Sequence, residues 1–585
     1  MSQLFNRIKV GNAKRSTFDL SHHQVTTSDF GQLIPICYRD MLPNDDFVVN
    51  PRLFCRLSPL AVPTYGKIVA RVHHFFVPYR ILYPHWDAFI TQSPSNQTIP
   101  PYLSVATIQS QLMYDKQYNS ASTSTIARGT YCKLMSNLGL NPDTIQGLGS
   151  NTRLAAFPFL AYYRIWLDYY MDSNLNDHPT LVAAFNDMIK NGGSMNNFVA
   201  QLLKYRNCAY KKDMFTTAKL DPQEGDPALV AVQLGQDVNP NFDVNYITGG
   251  EADKIQFSSP ESAIINQVYG ENNGINAPLG NNNIGQFTVE SLRAATAAQR
   301  YSERNNYVGT KLINRILAHF GISPTPERLD MAEYLGGDSF PIQIGDITST
   351  NSVSDPNEND YTTRGLGLQA GKGVGAARSK TCRYHAKEHG IFMSLMSIVP
   401  DTSYYQGVSR FWTKGVTGDP LDYYAPEFEN LGYQEVLNRE VYVPDYATQI
   451  TEYQTYNPAG VFGYVPRFSE YKFQNDVLGG DFVGTANTTN FGAYMDSWHL
   501  FRKLKYDDNN PLALNENFVT LNNSNNDYDR IFQLTDNQFD HFYFNIDCDV
   551  KATRSMVGFA EPSLDSTNNQ GDGNAINLPY GGTRL

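Results

Sequence analysis

The chain has 585 residues, which would allow about four domains of roughly 150 residues each, although β domains with long loops exceed that size. Charged residues make up only 18% of the chain and its net charge is -12, so the chain as a whole is a poor non-specific binder of nucleic acid. It has neither an apolar start of signal-peptide length nor an apolar run of about 18 residues, so we expect no secretion and no membrane insertion.

Aromatic residues and turn-forming residues are both abundant. The chain contains 37 Tyr and 33 Phe, and its 43 Gly and 31 Pro are scattered as the turns between many short strands require. Tyrosine joins a rigid apolar ring to a polar hydroxyl group and is enriched at protein interfaces. The composition therefore indicates a β-rich subunit that neighbouring subunits cover.

Six cysteines stand far apart in the sequence, and none forms a CxxC pair. This spacing argues against a zinc site and against a dense disulfide framework. We therefore expect free thiols, maturation in a reducing cytoplasm, and neither a metal nor a cofactor. The cysteines are Cys37, Cys55, Cys132, Cys208, Cys382 and Cys548.

The first fifteen residues form a short basic arm, because four cationic residues precede Asp19, the first acidic residue. A frayed, solvated terminus would explain this charge, and so would an arm, residues 1–17, that contacts nucleic-acid phosphates. In the second interpretation the nucleic-acid-binding residues are Arg7, Lys9, Lys14 and Arg15.

The first half of the chain predicts a buried strand and an aromatic helix. The strand is Lys67–Val77, which is apolar and β-rich and ends at Pro78. The helix begins at Pro158 and runs to Tyr170. Its aromatic side chains could stack on unpaired bases, but at helical spacing such residues more often pack into a core or a subunit interface. They are Tyr162, Tyr163, Trp166, Tyr169 and Tyr170.

Two stretches in the middle of the chain predict loops. Asn and Gly dominate residues 223–285, where apolar periodicity fades, so we expect a surface insertion there. A helix follows, with Thr288 as its cap, apolar residues at helical spacing up to Phe320, and Gly321 at its end. Residues 349–379 are again rich in Gly and predict a mobile loop. They include GKGVGA, which lacks the strand, helix and hydroxyl residue of a dinucleotide or phosphate loop.

His385, Glu388 and His389 match the H-x-x-E-H spacing of an inverted zinc-peptidase motif. Zinc binding would require both histidines on one helical face, whereas the β-rich Ile391–Val399 follows them directly. We therefore predict a structural pair of Glu388 with a histidine at the entry to a strand.

The end of the chain gives the clearest strand signal. Between Asp540 and Val550, apolar and polar residues alternate, so one face is buried and the other is polar. Asp547 and Asp549 share the polar face, where solvated charge is the ordinary interpretation. Because strands and helices do not alternate regularly along the chain, the fold class is mainly β with helical excursions.

Several sequence blocks occur in the order found in one viral family. They include RSTFDLSHHQVTTSDFGQLIPICYRDMLPND, FCRLSPLAVPTYGKIVARVHHFFVPYRILYPHWDAFI, FPFLAYYRIWLDYYMDSN, HFGISPTPERLDMAEYLGGDSFPI, KEHGIFMSLMSIVPDTSYYQGVSRFW and FNIDCDVKATRSM. Together they span residues 15 to 560 or so, and their shared order resembles the major capsid proteins of microviruses, close to the gokushoviruses.

This resemblance implies a single eight-stranded jelly roll over residues 18–585, with long inserted loops. It implies a capsid subunit that assembles in the host bacterial cytoplasm into a T=1 icosahedral shell around a circular single-stranded DNA genome. The insertion at 223–285 would be a surface protrusion that contacts a host receptor. Other implied partners are copies of the chain itself, minor capsid proteins and small basic DNA-binding phage proteins.

Two other functional classes remain open at this point. A jelly-roll attachment or carbohydrate-binding protein could use the insertion as its receptor site. A β-rich glycosidase could use a carboxylate pair such as Asp45 and Asp46. Formation of closed shells would favour the capsid subunit over both.

Overall fold

A computed structural model gives the fold of most of the chain. It describes residues 15–91, 99–114, 130–225, 244–248, 251–255, 289–348, 369–416, 418–428, 431–444, 456–483, 495–504, 512–521, 528–533 and 540–556. Among these residues, none of the helices is long and apolar enough to cross a membrane.

Sixteen strands are present in the described residues. They are β1 Ser16–Asp19, β2 His22–Ser28, β3 Ile34–Met41, β4 Asp46–Leu57, β5 Ile68–Pro78, β6 Tyr102–Ser104, β7 Arg153–Ala155, β8 Val244–Thr248, β9 Glu251–Ile255, β10 Glu333–Thr348, β11 Gln369–Arg378, β12 Cys382–His385, β13 Gly390–Pro400, β14 Tyr433–Leu437, β15 Val461–Pro466 and β16 Phe542–Arg554.

The α-helices of the described residues lie between these strands. They are α1 Tyr79–Leu82, α2 Trp86–Ile90, α3 Val105–Leu112, α4 Thr130–Asn137, α5 Pro142–Gly147, α6 Phe157–Ile165, α7 His178–Ile189, α8 Val199–Leu203, α9 Val289–Val308, α10 Leu312–Phe320, α11 Asn438–Val441 and α12 Glu516–Val519. A π-helical turn, Trp166–Tyr170, follows α6 directly. Short 3₁₀ turns include Arg410–Trp412, Pro420–Asp422 and Ser469–Tyr471.

Ten strands form one curled antiparallel sheet in the order β1-β16-β4-β11-β10-β5-β13-β3, with β12 also paired to β4 and β2 to β16. Strand β10 connects the two halves of this sheet. Its residues 333–342 pair with β5, and its residues 343–348 pair with β11. The mainly β jelly-roll architecture expected from the sequence is confirmed, with the helices in the insertions.

The structure contains strands at the positions that the apolar pattern predicted. β16 alternates buried and exposed residues, so Phe542, Phe544 and Ile546 face the core while Tyr543 and Asp547 face outward. β13 is buried along its whole length because β5 and β3 flank it and α6 packs against it. Such full burial is why its sequence is continuously apolar.

The prediction of a mobile loop over residues 349–379 is wrong for Gln369–Arg378, which form β11 between β10 and β4. Gly371, Gly373 and Gly375 are its buried residues, and Lys372 between them is exposed. A Cβ atom on Gly371 would lie 2.5 Å from the Val62 carbonyl oxygen, so only glycine leaves room for this neighbour. The run of glycines therefore reflects close strand packing. Residues 349–368 lie outside the described residues.

Both predicted helices are confirmed, with one difference in each. The first continues from α6 into the π-helical turn and ends at Tyr170 as expected. The second is divided into α9 and α10 by Gly309, which has a positive φ of 77°. Gly321 ends α10 in the left-handed conformation, with φ 68°. The expected cap, Thr288, lies outside the described residues.

The chain divides into two compact units. The first consists of residues 1–222 and 307–585 and contains the ten-stranded sheet. A smaller core beside the hairpin β14–β15 includes Phe215, Tyr404, Val436, Phe462 and Phe518. The second unit is residues 223–306, of which the structure describes the hairpin β8–β9, most of α9 and residues 223–225.

Candidate assembly surfaces and nucleic-acid interface

Of the four predicted nucleic-acid-binding residues, the structure describes only Arg15. Its Nη2 donates hydrogen bonds to Asp46 Oδ2 at 2.5 Å and to the carbonyl oxygen of Asn44 at 2.7 Å. His385 Nδ1 lies 2.6 Å from the other oxygen of Asp46. The hydrogen bond to His385 and the Arg15 guanidinium lower the pKa of the Asp46 carboxyl group. Asp46 therefore compensates the charge of Arg15 at the point where the arm joins β1.

Arg7, Lys9 and Lys14 lie outside the described residues. Ser16 and Thr17, which the predicted arm of residues 1–17 includes, belong to β1 and pair with β16. The Arg15–Asp46 ion pair, with side chains 34% and 43% exposed, thus joins the residue before β1 to the first residue of β4.

A group of exposed aromatic and apolar side chains lies on the loops around β14 and β15. Trp412 is 74% exposed and Val477 81% exposed, although both side chains are apolar. Lys414 Nζ lies 4.1 Å from the ring centroid of Tyr471 and 5.3 Å from that of Tyr423. We call this group the aromatic surface. It comprises Phe411, Trp412, Val416, Tyr423, Tyr471, Phe473 and Val477.

A cavity of about 670 Å³ opens beside the aromatic surface. The exposed side chains of Phe411, Trp412 and Phe473 line it. Arg410 and Glu440 also line the cavity, and Arg410 Nη1 lies 3.6 Å from Glu440 Oε1. Burial raises the pKa of Glu440 despite this nearby guanidinium. The cavity lining therefore combines exposed aromatic side chains with an ion pair.

Helix α10 carries a second exposed apolar surface. Its apolar residues recur at helical spacing, as the sequence predicted, yet none of its side chains is fully buried. Phe320 is 75% exposed. An amphipathic helix normally buries its apolar face, so this face is suited to a partner. The α10 surface consists of Leu312, Leu317, Phe320 and Ile322.

Of the aromatic residues at 162–170, Tyr162 is buried in the core and the other four are half-buried and pack against it, as helical spacing favoured. The Tyr162 hydroxyl donates to the carbonyl oxygen of Leu33 at 3.0 Å, and Trp166 Nε1 donates to that of Asn207. The Tyr170 hydroxyl lies 2.8 Å from His73 Nδ1. These side chains are thus not presented for stacking on bases.

The H-x-x-E-H segment enters strand β13, as predicted, but its pairing differs from the prediction. Glu388 Oε2 accepts from Arg80 Nε at 2.9 Å, so its partner is an arginine and the expected pair of Glu388 with a histidine is wrong. His385 contacts Asp46, and the ring of His389 lies edge-on to Trp86. The histidines therefore serve separate contacts.

The acidic pairs considered for catalysis also have separate contacts. Asp45 is buried, and its Oδ2 lies 3.1 Å from Arg554 Nε, whereas Asp46 contacts Arg15 and His385.

The six cysteines are free thiols, as expected, and all of them are buried.

One group of possible metal ligands was not signalled by sequence spacing. In the described residues, ligand atoms of His22, Cys37 and Cys548 all lie within 4.8 Å of one another. They belong to β2, β3 and β16, and Cys548 stands directly opposite His22 in the β2–β16 pairing. Only the long-range strand pairing could reveal this group, because no two of its members are close in sequence.

In comparisons with known proteins, the matching family and the most similar relatives are all capsid proteins. The family model described as capsid protein (F protein) matches residues 6–564. Capsid protein VP1 of Chlamydia phage 1 is 24% identical, over 96% of this chain and 98% of the relative. Capsid protein VP1 of Bdellovibrio phage phiMH2K is 25% identical, over 96% and 97%. That of Spiroplasma virus 4 is 23% identical, over 85% and 86%.

Proposed function

Because this chain belongs to the phage capsid protein (F protein) family, we propose that its copies close into a T=1 icosahedral shell around a circular single-stranded DNA genome. The family and the relatives are structural capsid proteins, so the chain is a major capsid protein of the virion and not an enzyme. Membership in a capsid protein family supports neither of the two alternative functions, an attachment protein or a glycosidase.

Closure of a shell is supported by two exposed apolar surfaces, one on the loops around β14 and β15 and one on helix α10. A single self-complementary surface produces only a dimer, whereas a closed shell needs at least two different contact surfaces. The aromatic surface and the α10 surface meet this requirement. Obligate interfaces bury on the order of 2,000 Å² or more, and their central contacts are rich in Trp, Tyr and Phe.

Assembly is proposed to occur in the host bacterial cytoplasm. Six free, buried cysteines suit a protein that folds in a reducing compartment. Particle mass tests the T=1 arrangement: shells from purified wild-type protein should have the mass of that lattice, and a different copy number would contradict it.

The basic arm, which ends where β1 begins at Ser16, is proposed to face the packaged DNA. Arg7, Lys9 and Lys14 would contact phosphates, while Arg15 holds the start of β1 through Asp46. With a net charge of -12, the subunit as a whole supplies no positive charge to balance the DNA phosphates. Small basic phage proteins are therefore proposed as partners that neutralise the remaining phosphates, beside minor capsid proteins.

A quadruple variant, Arg7→Gln, Lys9→Gln, Lys14→Gln and Arg15→Gln, tests the arm. We expect shells to form with less DNA per particle, measured by the ratio of nucleic acid to protein. Arg15→Gln alone is the matched control, because it removes the ion pair and keeps three charges. Wild-type DNA content in the quadruple variant would refute the role of the arm.

The insertion at 223–285 is proposed to be a surface protrusion that contacts a host receptor. Its supporting observation is that residues 223–306 form their own compact unit. Within that unit the Glu224 amide donates to the Ser302 carbonyl oxygen at 3.4 Å, so the segments on either side of 226–288 lie together. A variant in which a short Gly-Ser linker replaces 226–285 should form shells that no longer adsorb to host cells. Unchanged adsorption would contradict this role.

A further inference from the structure

The cluster formed by His22, Cys37 and Cys548 joins the two ends of the curled sheet. β16 and β2 lie at one end of the strand order, and β3 lies at the other. Cys37 and Cys548 are buried, and His22 is half-buried. The Cys548 thiol also donates to the carbonyl oxygen of Ile36 at 3.4 Å, so β16 and β3 are already in contact there.

We propose that His22, Cys37 and Cys548 bind one thiophilic divalent cation of the zinc class. Two sulfur atoms and one imidazole are the ligand types that zinc prefers, and three protein ligands leave a fourth position for water. The half-buried His22 gives this position access to solvent. Such an ion would link β2, β3 and β16 and fasten the two ends of the sheet together.

The surroundings of His22 fit a metal ligand in one tautomer. Its Nδ1 lies 3.3 Å from the carbonyl oxygen of Leu20, and donation along this contact leaves the lone pair of Nε2 available for an ion. Arg39 Nη2 lies 3.1 Å from the same Nδ1 and competes, because donation from Arg39 favours the tautomer with its proton on Nε2. Arg39 is therefore a residue whose removal should strengthen binding.

The sulfur atoms must lose their protons when the ion binds. Binding then releases protons as the thiolates coordinate the ion. Because the unfolded chain does not hold the three ligands together, the bound ion stabilises the folded state.

Cobalt(II) is the probe, since its thiolate complexes absorb light through charge transfer from sulfur, and added zinc should displace it. We expect the wild-type full chain, purified in a metal-free buffer with a phosphine reductant, to bind one cobalt ion. We also expect this ion to raise its melting temperature. His22→Gln, Cys37→Ser and Cys548→Ser should lose the absorption, whereas Cys208→Ser, which changes a buried cysteine outside the cluster, should keep it.

Two variants keep the test decisive if the cysteine variants do not fold. His22→Gln changes only a half-buried side chain at the strand pair β2–β16, and Arg39→Gln should bind cobalt more tightly than wild type, by about tenfold if the competing contact contributes roughly 1.4 kcal/mol. Absence of the sulfur-to-cobalt absorption in folded wild-type protein would overturn the proposal. So would its persistence in folded His22→Gln, or isolation of the protein with a Cys37–Cys548 disulfide.

Discussion

Gly373 of β11 lies against Leu57 of β4, so closely that a Cβ atom on Gly373 would be 2.6 Å from Leu57 Cδ2. Gly373→Ala should therefore lower the free energy of unfolding by about 1–3 kcal/mol through overpacking. Urea denaturation of the subunit measures this change. Gly345→Ala in β10 is the matched control, because its nearest atom would be 4.0 Å away. Equal stability of the two variants would contradict the packing described for β11.

Arg164 and Asp168 form a buried ion pair at the start of the π-helical turn. Asp168 Oδ2 accepts from Arg164 Nε at 2.9 Å and from the Ala332 amide at 3.0 Å. Asp168→Asn should reduce the free energy of unfolding by about 3–5 kcal/mol, because it leaves a buried guanidinium without a counter-charge. Thermal or urea unfolding provides the measurement.

The control for this prediction is a surface pair. Lys387 Nζ lies 3.5 Å from Glu327 Oε2, with side chains 71% and 40% exposed. Glu327→Gln should change the free energy of unfolding by less than about 1 kcal/mol. If Asp168→Asn lowers the free energy of unfolding no more than this control does, the buried ion pair does not stabilise the π-helical turn.

Two adjacent histidines of β5 make the subunit sensitive to acid. Burial lowers the pKa of His74 to about 4, with a further contribution from His73, and burial and Arg71 lower that of His73 to about 4. Their ordinary pKa is 6.5. Between these values the unfolded chain binds more protons than the folded chain, so stability falls as pH drops from 6.5 to about 4.

Substitution of these histidines should reduce that pH dependence. We expect His73→Gln and His74→Gln each to lower the slope of unfolding free energy against pH between 6.5 and 4, and the double variant to lower it further. Urea titrations at several pH values give the slope. If the double variant has the same slope of unfolding free energy against pH as wild type, groups other than His73 and His74 cause the loss of stability in acid.

Trp412 tests the aromatic surface as an assembly contact. Because it is 74% exposed in the subunit, Trp412→Ala should leave the melting temperature of the subunit unchanged. Loss of a central aromatic contact typically costs about 2 kcal/mol or more, which is roughly 30-fold in the association constant. The concentration needed for shell formation, measured by light scattering, should rise accordingly.

Val25→Ala is the control for Trp412. Val25 is 75% exposed on β2 and belongs to neither proposed surface, so its substitution should leave the assembly threshold unchanged. Phe320→Ala in the α10 surface should raise the threshold as Trp412→Ala does. Assembly of both aromatic variants at wild-type concentration would contradict the assignment of these two surfaces.

The strands that have a clear apolar pattern were predictable from the sequence, and so was the helix end that a glycine terminates. The alternation from Phe542 to Val550 and the terminator Gly321 are both found in the structure. The sequence failed at β11, because glycine is the usual sign of a loop and its close contacts with Leu57 and Leu60 depend on strand pairing.

Contacts between residues that are far apart in the sequence could not be predicted from local sequence patterns either. Glu388 was expected to pair with a neighbouring histidine and instead contacts Arg80, which the fold brings beside it. Cys37 and Cys548 meet near His22 only after the sheet has curled. The identity of an aromatic residue does not give its exposure, so only the structure distinguishes Trp412 on the surface from Tyr162 in the core.

The capsid function is tested by assembly of the purified wild-type chain, followed by electron microscopy and sedimentation over a range of protein concentrations. We predict closed particles of uniform diameter above a threshold concentration, formed by folded subunits. A chain that stays a folded monomer at every concentration and ionic strength would contradict it.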